Sequence, residues 1–259
     1  MTTLTPVSAP RTVEELSAFT SLPAATVDAA MHNISDGSAK LLVMSGKMGS
    51  WKDTLAPLVL DTLGYQSYTH RYYADRLKDE VDQMLTHVRH LDSSEQITEY
   101  LVHAWDMQQP HANTLAAPLY TCSLDATITA RTRTEDTRFI LQYYGTNVRR
   151  AVDPNHWVKP GLATMLTDIA DGASVYVTDA RFGNEVDWPT KAGATVVRLH
   201  ISREEQLRRL TARDGKCPAA DALEHRSETA LDDYQFQRVI EVDGKPIPQV
   251  VQEIVALVA

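Results

Sequence analysis

The apolar and polar positions of this chain alternate between short buried runs and longer amphipathic segments. Residues 41–44, Leu-Leu-Val-Met, form an uninterrupted apolar run, which is typical of a parallel strand covered on both faces. Because strands and helices alternate through the second half, we predict an α/β fold, a parallel sheet with helices on both faces. The predicted strands span residues 41–44, 65–69, 174–179, 194–200 and 238–242.

Helical spacing and capping residues predict helices between these strands. Pro57 is expected in the first turn of a helix that starts at Lys52, where a missing N–H is tolerated. The pattern is weakest over residues 92–137, where 118–125 suggests a loop or irregular strand, and Gly145 is expected to interrupt the chain again. The predicted helices span 12–19, 24–31, 52–63, 74 onwards, 97–107, 157–170, 181–191, 202–214 and 247–258.

Length and composition limit the class of protein. A chain of 259 residues suits one large α/β domain with insertions. We assign residues 1–39 to an N-terminal arm, partly helical and unstructured over 1–12, that serves packing or self-association; the main domain is 40–259. The Gly/Pro/Ala-rich stretch 214–226 is typical of a mobile loop or lid.

Charge and cysteine content indicate the compartment and the partners. The net charge of −9 argues against broad binding to nucleic acid or to anionic membranes. No apolar run approaches the roughly 18 residues of a membrane span, and the first residues lack a signal pattern. Cys122 and Cys217 have no metal-ligand spacing, so reduced thiols and a cytoplasmic location are expected.

The segment after the first strand has the composition of a phosphate-binding loop. Gly46 is followed by four residues, by Trp51 where the pattern G-x-x-x-x-G-K-[ST] has glycine, and by Lys52 in register. A phosphate needs converging backbone N–H groups, a helix N-terminus and a flexible cation. The indole could clash with the phosphates or stack outside, and an ordinary strand-to-helix turn is the alternative. The candidate nucleotide-binding residues here are Gly46, Lys47, Gly49, Ser50, Trp51, Lys52, Asp53 and Thr54.

Charged residues beyond the loop provide candidates for a metal site and for phosphate binding. Asp179 ends a predicted strand, where an acid and the Thr54 hydroxyl could hold Mg²⁺; the alternative is an N-cap for the next helix. Asp75, Arg76 and Lys78 cluster shortly after the second strand, on the ligand-binding edge of an open sheet; a capped helix with a solvated charged face is the alternative. Solvated helix faces are the alternative for the arginines. The candidate phosphate-binding arginines are Arg131, Arg149, Arg150, Arg181, Arg209 and Arg213.

Four stretches, in one order, resemble the phage-type deoxynucleoside monophosphate kinases of the P-loop kinase fold. They are SGKMGSWKDT at 45–54, ADRLKDEV at 74–81, LQYYGTNVRRAVDPNHWV at 141–158 and VYVTDARFGNEVD at 175–187, with HRSE at 225–228 as a fifth. Three features depart from the family: Trp51 replaces the loop glycine, Arg76 stands where the family often has proline, and residues 1–39 have no counterpart.

The resemblance implies a P-loop NTPase-type parallel sheet, ATP at the loop, Mg²⁺ near Thr54 and Asp179, and a deoxynucleoside monophosphate as acceptor. It also implies an acceptor-binding insertion at about 82–137, a lid at about 203–228, and the host cytoplasm if the chain is phage-encoded; a homodimer stays open. Implied catalytic residues are Lys52, Asp179, Arg181, Arg149 and Arg150. Implied acceptor-binding residues are Asp75, Lys78, Arg131, Gln142 and Arg150.

Two other functions are compatible with the same residues. A P-loop kinase could act on hydroxymethylated pyrimidines in phage DNA, although the negative net charge disfavours a duplex substrate. A degenerate P-loop protein could bind nucleotide without turnover, and Trp51 is the residue that favours it.

Overall fold

The computed structural model describes residues 12–216 and 223–258, which form two compact units. The first, the sheet unit, comprises the chain up to Tyr73 and from Val158 onwards; the second, the helical unit, is Ala74–Trp157. Residues 1–11, Cys217 and the 217–222 part of the predicted lid lie outside the described residues. None of the described helices is long and apolar enough to cross a bilayer.

The sheet unit contains five strands and eight helices among its described residues. The strands are β1 (Leu41–Gly46), β2 (Tyr68–Arg71), β3 (Ser174–Val177), β4 (Thr195–His200) and β5 (Val239–Glu241). The helices are α1 (Val13–Thr20), α2 (Ala24–Ser35), α3 (Lys52–Thr62), α8 (Val158–Ala170), α9 (Gly183–Lys191), α10 (Arg203–Asp214) and, after the undescribed stretch, α11 (Arg226–Thr229), followed by an eighth, α12 (Ile247–Val258).

All five strands are parallel, in the order β2-β3-β1-β4-β5, which confirms the predicted α/β fold. Central strand β1 pairs Leu41 with Val175 of β3 and Leu42 with Thr195 of β4. Its side chains alternate between two cores: Leu41 and Val43 face α1, α2 and α8, whereas Leu42 and Met44 face α3 and α12. The apolar run of β1 is therefore explained by helices on both faces.

Helices α1 and α2 belong to the core of the sheet unit. A capping box between Thr12 and Glu15 starts α1, and Leu16 is fully buried. Val27 of α2 is also fully buried, and the side-chain amide of Asn33 donates to the carbonyl of Ile169 at 2.8 Å. Residues 12–39 therefore pack against α8 rather than extending as a separate arm.

The helical unit is built around its own apolar core and contains the predicted 82–137 insertion. Its described elements are α4 (Ala74–Val88), α5 (Ser94–Ala104), α6 (Gln109–Ser123), α7 (Glu135–Gln142) and a π-helix (Tyr143–Arg150). The loop or irregular strand predicted at 118–125 is wrong, since α6 continues through Pro118. Leu115, Leu119 and Cys122 lie on one buried face of α6, and this packing outweighs the missing proline N–H.

Two further local predictions are wrong. Pro57 lies in the second turn of α3, not the first, as the sixth residue of that helix. Gly145 does not interrupt the chain but lies in the π-helix that continues α7. A Cβ at Gly145 would lie 2.9 Å from a methyl of Leu77 on α4, so glycine is needed there for close packing rather than for a turn.

Candidate phosphate-binding site

The sheet topology places a crevice at the carboxyl ends of β1 and β3. The connection after β1 leads to β2 on one side, and the connection after β3 leads to β4 on the other. Neighbouring strands whose connections diverge form a topological switch point, where open α/β sheets bind ligands. The two segments at this point are residues 47–51 after β1 and 178–182 after β3.

Residues 46–51 form a tight loop that favours glycine at two positions. A Cβ at Gly46 would overlap the hydroxyl oxygen of Ser50 and would lie 3.1 Å from the carbonyl oxygen of Leu199. Gly49 has a φ of +83°, a conformation that side chains disfavour. The Ser50 hydroxyl is buried without a hydrogen-bond partner among the described residues. A buried hydroxyl in that state has a donor to offer to a ligand oxygen.

Lys52 places a buried cation at the first residue of α3. The residue is only 8% exposed, and its ammonium donates to the carbonyl of Lys47 at 3.4 Å. Burial, followed by the nearby Arg181 guanidinium, lowers its pKa from 10.5 to about 8, while the carboxylates of Asp53 and Asp179 oppose that shift. Negatively charged phosphate oxygens bound beside Lys52 would stabilise its buried ammonium.

Trp51 occupies the glycine position of the loop in a left-handed conformation, with φ 66° and ψ 12°. Its indole stacks on the guanidinium of Arg209, whose central carbon lies 3.4 Å from the ring centroid, and packs beside the α3–α12 core. Arg209 also bonds the carboxylate of Glu205 and the carbonyls of Gly49 and Val242. The guanidinium predicted to contact phosphate thus has every nitrogen hydrogen-bonded within the protein, and one of these bonds, to Gly49, holds the loop.

The segment after β3 contributes Thr178 and Asp179 to this edge of the sheet. The Thr178 hydroxyl bonds the carboxylate of Asp53 and lies 2.9 Å from Nε2 of His70. Asp179 is half-buried, and one of its oxygens accepts the backbone N–H of Tyr73 at 3.0 Å. The alternative role of Asp179 as an N-cap is wrong, because the N-cap of α9 is Phe182.

Arg181 is held in place by two buried glutamates. Its backbone N–H donates to Glu185 at 2.6 Å, and its guanidinium pairs with Glu228 and donates to the carbonyl of Ser227. Burial lowers the pKa of Arg181, and the charges of Asp179, Glu185 and Asp53 oppose the shift. The cations of Lys52 and Arg181 therefore lie near each other at the carboxyl ends of β1 and β3, among several carboxylates.

Glu228 contacts the loop, although it was not among the predicted site residues. Its second oxygen accepts the backbone N–H of Met48 at 3.2 Å, and the nearby Asp232 pairs with Lys47 at 2.8 Å. The only signal in the sequence is the HRSE stretch that ends at Glu228, and its spacing alone does not indicate a contact with the loop.

The other predicted site residues are divided between the two units. In the sheet unit, Asp53 and Thr54 are exposed in the first turn of α3, and Arg213 is an exposed residue paired with Asp214. Among the described residues, no three His, Cys, Asp or Glu side chains cluster as a metal site. Mg²⁺ usually takes only one or two protein ligands beside phosphate oxygens, so such a cluster is not required.

In the helical unit, Asp75 and Lys78 lie in the first two turns of α4, and Gln142 is half-buried at the end of α7. Arg131 is paired with Asp79 at 2.9 Å and with Asp82 at 2.8 Å. Arg149 and Arg150 end the π-helix, and Arg150 donates to the carbonyl of Pro154 at 3.2 Å.

Comparison with known proteins finds likeness only among solved structures. No family model and no curated protein sequence matches the chain. A gluconokinase from Sinorhizobium meliloti 1021 is 17% identical with a TM-score of 0.39, over 84% of this chain and 90% of that chain. The Deinococcus radiodurans tunicamycin resistance protein is 14% identical with a TM-score of 0.43, over 85% of this chain and 96% of that chain. At identities and TM-scores this low, neither likeness decides what this chain does.

Proposed function

We propose that this chain transfers the γ-phosphoryl group of ATP to the phosphate of a deoxynucleoside monophosphate, giving ADP and a deoxynucleoside diphosphate. A phosphate oxygen of the acceptor attacks the γ-phosphorus, and the bond from that phosphorus to the β–γ bridging oxygen breaks. The observation that carries the proposal is the buried ammonium of Lys52 beside a tight loop whose Ser50 hydroxyl is buried and has no hydrogen-bond partner among the described residues.

The residues present suit a nucleotide triphosphate. Gly46 and Gly49 keep the loop backbone open to close approach, and Ser50 has a free donor. The indole of Trp51 is stacked on Arg209, which supports the view that the glycine replacement leaves the loop open. Lys52 and the loop N–H groups would bind the β- and γ-phosphates.

Residues that follow β3 would neutralise the negative charge of the transferred phosphoryl group in the transition state. Arg181 would stabilise the negative charge on the transferred group, and its contacts with Glu185 and Glu228 support this role by fixing its position. Thr54 and Asp179 would hold Mg²⁺; Asp53, next to Thr54 in sequence, bonds the hydroxyl of Thr178, next to Asp179. When bound, Mg²⁺ neutralises charge shared by the phosphate oxygens. The acceptor-side candidates are Asp75, Lys78, Arg131, Gln142, Arg149 and Arg150.

Release of ADP from Mg-ATP tests the proposal in the presence of each common or hydroxymethylated deoxynucleoside monophosphate. We expect turnover with at least one of them, and no turnover in Lys52→Ala. Lys245→Ala is the matched control, because this lysine is paired with Glu253 in the same unit. Transfer only to hydroxymethylated pyrimidines within DNA would indicate the DNA-directed kinase, and nucleotide binding with no ADP release would indicate the degenerate protein.

A further inference from the structure

Two arginines of the helical unit share a single buried carboxylate. Glu80, in α4, is 7% exposed. One oxygen accepts from Nε of Arg76 at 3.2 Å, and the other accepts from the Tyr144 hydroxyl at 2.7 Å and lies 3.8 Å from Nε of Arg149. Two guanidinium charges thus face one carboxylate charge, so the cluster has one positive charge in excess.

The π-helix explains how Arg149 reaches this cluster. Tyr144 and Arg149 are five residues apart, and the i→i+5 hydrogen bonding of a π-helix brings residues at that spacing over one another. Nε of Arg149 donates to the Tyr144 hydroxyl at 2.7 Å, and its guanidinium lies over the rings of Tyr144 and Trp105, at 5.2 and 5.9 Å. An α-helix would point the two side chains apart.

The terminal nitrogens of Arg76 and Arg149 make no hydrogen bond to any residue that the structure describes. Over residues 12–216 and 223–258, every hydrogen bond and ion pair of Arg76 and Arg149 is made through Nε. The two terminal nitrogens of each guanidinium therefore have no protein acceptor. By contrast, Arg131 in the same unit places its terminal nitrogens on Asp79 and Asp82. A guanidinium fixed at Nε with a free terminal fork is the donor arrangement that binds a phosphate through two parallel hydrogen bonds.

We propose that Arg76 and Arg149, anchored on Glu80, bind the dianionic phosphate of a phosphate monoester. The inference rests on the proposed function in one respect: the monoester is the acceptor of the transferred group. Arg149 supplies the two-pronged contact and Arg76 the second charge, while Glu80 and Tyr144 act as positioning residues.

Calorimetric titration of the full chain separates the two arginines from the nucleotide loop. The probes are the four common deoxynucleoside monophosphates, the matching nucleosides, inorganic phosphate and Mg-ATP. We expect at least one monophosphate to bind more tightly than its nucleoside. Arg149→Gln should weaken that binding about tenfold or more, since charge-assisted paired hydrogen bonds are lost, and Arg76→Gln should weaken it several-fold. Arg138→Gln, an exposed arginine of the same unit, is the matched control and should change nothing.

Further variants test how the site is held. Arg149→Lys keeps the charge but not the fork, so its monophosphate affinity should fall between those of the wild type and Arg149→Gln. Glu80→Gln should raise the KM for the acceptor while the KM for ATP stays constant, which a merely structural defect would not do. Thermal melting of each variant confirms that it is folded.

The outcomes also separate this inference from the proposed function. Lys52→Ala should abolish transfer and leave monophosphate binding intact. If the arginine variants lose monophosphate binding but the wild type releases no ADP, the oxyanion site stands and the kinase fails. If Arg76→Gln and Arg149→Gln bind monophosphates as the wild type does, or if the wild type binds only inorganic phosphate, the inference is overturned.

Discussion

ATP binding should weaken as the pH rises through about 8, because Lys52 loses its proton in the free protein. Its pKa is lowered from 10.5 to about 8, chiefly by burial. Phosphate oxygens at the loop would return that pKa towards its ordinary value, so ATP binding is linked to proton uptake. The neutral amine must first gain a proton, and the free energy of binding falls accordingly.

The size of the effect follows from the protonated fraction. At about one pH unit above its pKa, roughly one tenth of the free protein carries the ammonium, so the apparent affinity should be about tenfold lower than at about pH 7. For stability the sign is opposite: because the folded pKa of Lys52 is depressed to about 8, this group raises the free energy of unfolding as the pH increases from about 8 to 10.5.

Calorimetric titration of Mg-ATP from about pH 7 to 9.5 measures the effect. Repeating it in buffers of different ionisation enthalpy should show nearly one proton taken up for each ATP at the upper end of the range. Lys52→Arg is the control, since a guanidinium stays charged throughout. Constant wild-type affinity, or an equal decline in Lys52→Arg, would refute the reasoning.

Three other substitutions have definite expected results. Leu16→Ala should lower the free energy of unfolding by about 2–5 kcal/mol in urea titration, since the side chain is fully buried in the sheet unit; an unchanged midpoint would show that α1 is not part of that core. Gly46→Ala should abolish Mg-ATP binding in calorimetry, because its Cβ would overlap Ser50, and wild-type affinity would remove the loop from the site. Tyr144→Phe should cost about 1–3 kcal/mol in thermal or urea unfolding by removing the hydroxyl that joins Glu80 to Arg149, and it should raise the acceptor KM; no change in either would contradict the proposed positioning role.

Elements with a strong local pattern were predictable from the sequence. The run at Leu41 and the strand at Ser174 are covered on both faces, so their composition shows strand and burial together. The closing helix Ile247–Val258 has the predicted bounds, because its apolar residues follow helical spacing up to its end. The course of α6 depended instead on packing around Pro118, which a local pattern does not contain.

The candidate site was predictable only where a motif is contiguous. The loop from Gly46 to Lys52 follows directly from a pattern, but the stacking of Trp51 depends on Arg209, far along the chain. Glu80 is one of several acids in its stretch, and only the fold shows that it is the buried one. No pattern in residues 143–150 indicated a π-helix. The hydrogen bond between Arg149 and Tyr144, which depends on that helix, was therefore not predictable from the sequence.

The stacking of Trp51 on Arg209 gives the loop an optical reporter of its own. The chain has four tryptophans, and the other three, Trp105, Trp157 and Trp188, lie in the helical unit or against Phe19. Subtracting the emission of a Trp51→Phe protein from that of the wild type isolates the signal of one indole at the loop. Ligand arrival can then be followed by stopped-flow fluorescence with unlabelled nucleotide.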